Sequence, residues 1–225
     1  MEANDKQIIY VRTFGGFSIR YDGSELSFGS QNESQVVQLL QLLLHYRKQG
    51  LSRDFAKSAL FGDRDVDDVS HSMRNIIYNL RKKLRALGLP ESMYVVKKGG
   101  VYYWCDDIQV IEDAAEFEAA FNEAMGSDDH DKRTELLTNT IYMYAGRFLA
   151  GNESSVWSTQ EEERYRELFA DCVNELADIL RDEHKYKQLL DVSTYASKVD
   201  PFSEWEILTL EALGRLGHFD KTEAF

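Results

Sequence analysis

Beyond Cys105 the apolar residues of this chain keep one helical period, whereas the preceding stretch switches from a strand period to a helical one and back again. The two regimes call for different architectures. A uniform three-to-four-residue repeat commits the second half to helices packed on helices, and the alternation before it calls for an α+β unit with its own core.

Within the first part, IIYVRTF and FSIRY are separated by Gly15-Gly16, and Asp22-Gly23 leads into ELSF, so a small antiparallel meander opens the chain. From Ser34 the pattern becomes helical, with Val36, Val37, Leu39, Leu40, Leu43 and Leu44 recurring until Gly50. Ser52 is placed to cap a second helix, RDFAKSALF, ended by Gly62. Asp67, Asp68 or Ser70 then caps a longer third helix that runs to Leu87, where Gly88 and Pro90 stop it. YVVK, KGG and VYYW complete the part as a hairpin.

The second part reads as AAEFEAAFNEAM, KRTELLTNTIYMY, a long helix from Trp157 to Leu180 and two shorter ones, with no strand expected past Cys105. Tyr186 and Phe219 stand 33 residues apart at matching places before a helix, the period of tetratricopeptide helix pairs. An array of antiparallel helix hairpins follows from that spacing. The closing FDKTEAF reads as the start of another repeat, so the chain is expected to be the amino-terminal portion of a longer protein. An intact mass of the native product equal to the 26.0 kDa of these residues would contradict that.

Charge divides the chain in the same place. Residues 1–106 hold 15 Lys+Arg against 12 Asp+Glu, while residues 107–225 hold 11 against 27, so the formal net charge of -13 belongs to the second half. Such asymmetry points to a division of labour that a bulk pI of about 4.8 conceals. The start, MEANDKQIIYV, does not read as a signal peptide and no apolar tract is long enough to span a membrane, so a cytoplasmic protein without a membrane partner is expected. Cys105 and Cys172 lack CxxC spacing and are read as unpaired thiols of a reducing compartment.

The third helix contains the one strongly basic run, HSMRNIIYNLRKKLRAL. At 100° per residue, Met73, Ile76, Ile77, Leu80 and Leu84 form the stripe that faces a core. His71, Arg74, Asn75, Tyr78, Lys82 and Arg85 fall on the opposite side, with Arg81 and Lys83 on the flanks. A solvated helix face is the plainer interpretation of a lone basic run. Its surroundings favour DNA: residues 70–104 hold seven positive charges and only Glu91 as a negative one, with Lys97 and Lys98 at the hairpin turn. Arg and Asn suit bidentate contact with base edges, and Lys supplies sequence-independent attraction to phosphate.

FGGFSIRYDGSEL, LLQLLLHYRKQGLSRDF, SMRNIIYNLRKKL and YVVKKGGVYYW, in this order, resemble the OmpR/PhoB-type winged helix as found in Streptomyces antibiotic regulatory proteins (SARP). YAGRFLAG, VWSTQEEERYRELF and the stretch from His184 to Phe225 look like the bacterial transcriptional activator domain of the same family. The resemblance implies a winged helix over residues 1–106, with a β-meander, three helices and a hairpin wing, followed by an all-α, tetratricopeptide-like domain over 107–225. It implies that residues 68–87 are the recognition helix, that the 94–104 hairpin is the wing, and that the helical domain contacts proteins. Family members bind direct repeats of double-stranded DNA side by side and help recruit RNA polymerase, so a homodimer on DNA is expected. By motif position Arg74, Asn75, Tyr78 and Asn79 are the residues for base contact, and Arg81, Lys82, Lys97 and Lys98 those for phosphate.

Two departures stand out. QNESQVV offers no positive charge just before the leucines of the first helix, where relatives carry Lys or Arg, and Asn79 stands where arginine is frequent; both imply weaker or redirected DNA binding on the same fold. The alternative function is an interaction adaptor in which the winged helix has become a docking module with little DNA affinity. No nucleophile, base and orienter can be assembled, so no enzyme is expected. DRDVDD from Asp63 has Asp68 where a calcium loop needs Gly and Arg74 where it needs Glu, and is read as an acidic helix start. Glu161, Glu162 and Glu163 spread around a helix, DDHDK at 128–132 is read as a turn and cap, and the five histidines lack paired spacing. No metal and no cofactor are expected. Trp157, Trp205 and the aromatic residues of the repeats are assigned to packing.

Overall fold

The computed structural model describes residues 7–26, 28, 34–62, 68–151 and 155–217. They divide into two units, one formed by residues up to Asp113 together with Gly151–Thr159, the other by Ala114–Ala150 and the residues from Gln160 onward. The expected DRDVDD segment, apart from Asp68, and Phe219 with the rest of FDKTEAF lie outside the described residues.

In the first unit, strands β1 (Gln7–Arg12), β2 (Ser18–Tyr21) and β3 (Ser24–Leu26) form the antiparallel meander. Ile9, Val11 and Ile19 point into the core, as alternation requires. The sheet has a fourth strand that the sequence reading missed. β7 (Ile108–Glu112) lies parallel to β1 in the register Gln7↔Ile108 to Val11↔Glu112, giving the order β3-β2-β1-β7. β7 and Asp113 group with the first unit. IQVIE is short and runs directly into the helical stretch that follows, and its pairing with a strand about a hundred residues earlier establishes it as β.

Helix α1 (Gln35–His45) is capped by Ser34 and buried without interruption from Val37 to Leu44. A helix enclosed all round must be covered on every side; α2 (Arg53–Phe61), α3 (Val69–Ala86) and both sheets supply the cover. Ser52 caps α2 as expected, accepting from Phe55 N at 3.2 Å. The two residues Leu51–Ser52 also form β4, a short strand absent from the expectation, which pairs with β6 (Val101–Trp104). β5 (Val95–Lys98) and β6 form the hairpin, and its turn residues Gly99 and Gly100 have φ of 58° and 86°. Positive φ at both centres is the geometry whose twist matches paired strands.

Gly50 has a sharper requirement. Its φ is 77°, and a Cβ there would lie 2.4 Å from Tyr103 Cε1 and 2.6 Å from Val101 Cγ1. Gly50→Ala is expected to destabilise the unit by at least about 1–3 kcal/mol from backbone strain alone, with the hairpin displaced from β4. Urea unfolding followed by tryptophan fluorescence checks it.

The second unit is helical: α4 (Asp113–Met125), α5 (His130–Met143), α6 (Val156–Asp182), α7 (Tyr186–Val199) and α8 (Glu206–Arg215), with the first residue of α4 and the first turn of α6 belonging to the other unit. Asp129 caps α5, accepting from Lys132 N at 2.9 Å, which accounts for the DDHDK segment. α7 and α8 pack together through Leu189, Val192 and Ala196 on one and Leu208, Ala212 and Leu213 on the other. Thr209 Oγ1 donates to Ser193 Oγ at 2.9 Å inside this seam.

An aromatic core joins the rest. Tyr144 stacks on Phe169 at 4.4 Å between ring centroids, Phe148 meets Tyr165 at 5.2 Å, and Trp205 stands edge-on to Phe169. Burial holds the Tyr144 phenol well above its ordinary 10.0. It also pushes the Cys172 thiol from 9.0 up to about 12. Both groups stay neutral in the fold where the unfolded chain would ionise. Their stability contribution is therefore full below the unfolded values and declines as pH rises past them. The urea midpoint reported by Trp205 is expected to fall between pH of about 8 and about 10.5. Among the described residues no helix is long and apolar enough to cross a membrane.

Candidate nucleic-acid interface

α3 begins at Asp68, whose carboxylate accepts from His71 N at 2.9 Å. That backbone hydrogen bond is the main cause holding the Asp68 carboxyl below its ordinary range. Met73, Ile76, Leu80 and Leu84 are buried against the core and Ile77 is half-buried, so the apolar stripe read from the sequence faces inward. Its opposite face is open: His71, Arg74, Asn75, Tyr78, Asn79, Lys82 and Arg85 are all exposed. Residues 69–86 contain no carboxylate, so nothing on the helix itself neutralises that face.

Arg74 uses Nε to donate to Ser70 O at 3.2 Å, which leaves the far edge of its guanidinium outward. Tyr78 is 67% exposed, a large ring that the fold leaves in water. Lys97 and Lys98 sit at the end of the hairpin, both exposed; the ammonium of Lys97 lies 5.3 Å from the Tyr102 ring centroid and that of Lys98 is 3.9 Å from Asp106. A groove of about 780 Å³ runs between α3 and the hairpin, bordered by Arg74, Tyr78, Arg81, Met93 and Lys97.

Arg81 has backbone partners within the unit. Its Nε donates to Met93 O at 3.1 Å and an Nη to Val95 O at 2.8 Å, so the guanidinium ties α3 to the start of β5. It sets the distance between the helix and the hairpin and is only half-exposed. Lys83 likewise turns inward, donating to Phe28 O at 3.1 Å. Met93, 61% exposed on the rim of the groove, had no signal in the sequence.

At the other end of this unit, Glu112 closes β7 as a buried carboxylate. It accepts from Arg47 and lies 2.8 Å from His45 Nδ1. Asp113 next to it accepts from Thr13 N, Thr13 Oγ1 and Phe14 N. Two consecutive acids thus fasten the end of the sheet. The exposed basic face of α3 and the β5–β6 hairpin lie elsewhere in the unit.

Residues 111–221 match the family model described as bacterial transcriptional activator domain. The chain carries a bacterial transcriptional activator domain. The match begins within β7 and takes in α4 to α8, so the activator domain accounts for the whole helical unit that is described. The helical character of this unit agrees with the family match. Among solved structures, Mycobacterium tuberculosis EmbR in complex with a low affinity phosphopeptide is similar, with a TM-score of 0.68 at 14% identity over 95% of this chain. Identity that low shows a shared fold alone. The chain spans 56% of the length of that EmbR chain. A search of curated proteins gives no match. The activator-domain match supports the SARP-like resemblance read from the sequence, and the shared fold agrees in having strands before helices.

Proposed function

We propose that the unit in front of the activator domain is an OmpR/PhoB-type winged helix that binds double-stranded DNA. α3 enters the major groove and the β5–β6 hairpin approaches the backbone beside it. The observation that carries this reading is the face of α3: Arg74, Asn75, Tyr78, Asn79 and Lys82 exposed together, without a carboxylate on the helix, beside a hairpin tip bearing Lys97 and Lys98. Arg74 and Asn75 offer paired donors and acceptors for base edges, and the lysines offer charge to phosphate. Arg81 acts here as the brace that fixes hairpin to helix.

The activator domain, arranged as tetratricopeptide-like helix pairs, contacts proteins, RNA polymerase among them. Two copies of the chain occupy direct repeats in the cytoplasm, and the protein regulates transcription without catalysis. That EmbR was solved with a phosphopeptide supports a protein-binding role for regulators of this fold.

In vitro selection from random duplex DNA tests the reading. Enrichment of a repeated half-site is the expected result, and failure to enrich any duplex at low salt would overturn it. The adaptor reading would then take its place, favoured by the acidic balance of residues 107–225.

A further inference from the structure

The activator domain contains a cleft of about 340 Å³ bounded by α5, α6 and α7. Its floor is apolar, made by the buried side chains Leu176, Leu180 and Val192. On one wall α5 presents Asp131, Glu135, Asn139 and Tyr142, spaced three and four residues apart and therefore on a single helix face. Gln188 and Asp191 of α7 form the other wall.

Charge in this cleft is left unmatched on one side. Around it, acids are matched with arginines: Arg164 with Glu118 and Glu161, Arg147 with Glu162, Arg133 with Glu175, and Arg181 with Glu211. Asp131, Glu135 and Asp191 are exposed and have no ion-pair partner among the described residues. The one cation on the rim, Lys185, is taken by Glu183 at 2.9 Å. The cleft is thus left with uncompensated negative charge above an apolar floor.

Tyr142 adds an aromatic face. It is 47% exposed, and Tyr195 holds it from behind with ring centroids 4.7 Å apart. The Tyr195 hydroxyl is 3.0 Å from Tyr144 O, to which it donates, so the supporting ring is itself anchored. Asn139 and Gln188 supply exposed amides, each able to donate to and accept from a peptide backbone.

We propose that this cleft binds an extended segment of a partner protein through a Lys or Arg side chain. The aliphatic stem lies over Leu176, Leu180 and Val192, the cationic head meets Glu135 and Asp191, and the face of Tyr142 supplies a cation–π contact. The amides of Asn139 and Gln188 hold the backbone on either side. A volume of 340 Å³ admits one long side chain and its neighbours, not the face of a folded domain. The same charge repels a phosphopeptide. This inference rests on the protein-contact half of the proposed function and names the chemistry of the contact.

The test pans a phage-displayed library of random dodecapeptides against the full chain, then titrates a synthetic, fluorescein-labelled peptide from the enriched set. Peptides with a recurring Arg or Lys are expected. Glu135→Lys with Asp191→Lys is expected to weaken the labelled peptide by about tenfold or more, and Tyr142→Ala by about threefold or more. Glu116→Lys with Glu167→Lys makes the same change of net charge on exposed positions outside the cleft and is expected to leave binding within about twofold. Circular dichroism of each variant verifies the helical fold. Lack of enrichment, selection of acidic peptides, or equal loss in both double variants would overturn the proposal.

Capture of purified bacterial RNA polymerase separates this inference from the reading beneath it. Equal capture by the wild-type chain and the cleft double variant supports a protein-binding domain and contradicts the cleft. Peptide binding lost only in the cleft variants, without polymerase capture, supports the cleft and removes polymerase as its partner.

Discussion

Glu112→Ala is expected to cost the first unit about 3–5 kcal/mol, because it breaks a buried ion pair by removing one partner. Glu112 is 1% exposed and faces two cationic or ionisable side chains, His45 at 9% and Arg47 at 16%. Arg47 also donates to Leu44 O at 2.7 Å, which holds the guanidinium in place after its carboxylate is gone. The variant therefore leaves a largely buried charge just past the end of α1 without its counter-ion. Glu112→Gln keeps the shape and one acceptor and is expected to lose less. Tryptophan fluorescence during urea unfolding measures the effect selectively in a Trp205→Phe background, since the two remaining tryptophans, Trp104 and Trp157, both belong to the first unit.

Arg74→Ala is expected to act on sequence preference, with stability little changed. The side chain is exposed and spends only Nε on its own helix, so its outward edge remains for a base, most simply the O6 and N7 of guanine. Loss of a bidentate pair removes about 1–3 kcal/mol of discrimination at one base pair. The measurement is a comparison of the selected duplex with single-base variants of it. Wild type should penalise substitution at the position read by Arg74, and the Arg74→Ala protein should bind the substituted and original duplexes alike there. Uniform weakening across all duplexes would place Arg74 on phosphate instead.

Much of the first unit was legible because its signals are local. The inward stripe of α3, the capping serine Ser52, and the Gly99-Gly100 turn each follow from spacing or backbone preference within a few residues. β7 was missed although IQVIE is rich in β-branched residues, because it is five residues long, abuts a helix and is held as a strand by its partner β1. β4 is two residues long and exists only because β6 passes beside it.

The same limit applied to the candidate site. Helical periodicity places Arg81 on a flank and so permits a phosphate contact, but the carbonyls of Met93 and Val95 that capture it come from a loop and strand 12 and 14 residues further on. Glu112 read as one more acid in an acidic half; its burial depends on His45 and Arg47, more than 60 residues earlier. The unpaired acids of the α5–α7 cleft show the converse. Their number was visible in the sequence, but their separation from every arginine of the domain is a property of the fold.

The DNA-binding reading is tested most directly by titrating a fluorescently labelled, selected duplex with the full chain at a series of salt concentrations. Log K is expected to fall linearly with log salt, with a slope of about -0.9 for each phosphate contacted. Lys97→Glu with Lys98→Glu should weaken all duplexes alike and make the slope shallower by about 2. Binding that is absent even at low salt, or that is unmoved by salt and by these two substitutions, would contradict a DNA-reading face built on α3 and the β5–β6 hairpin.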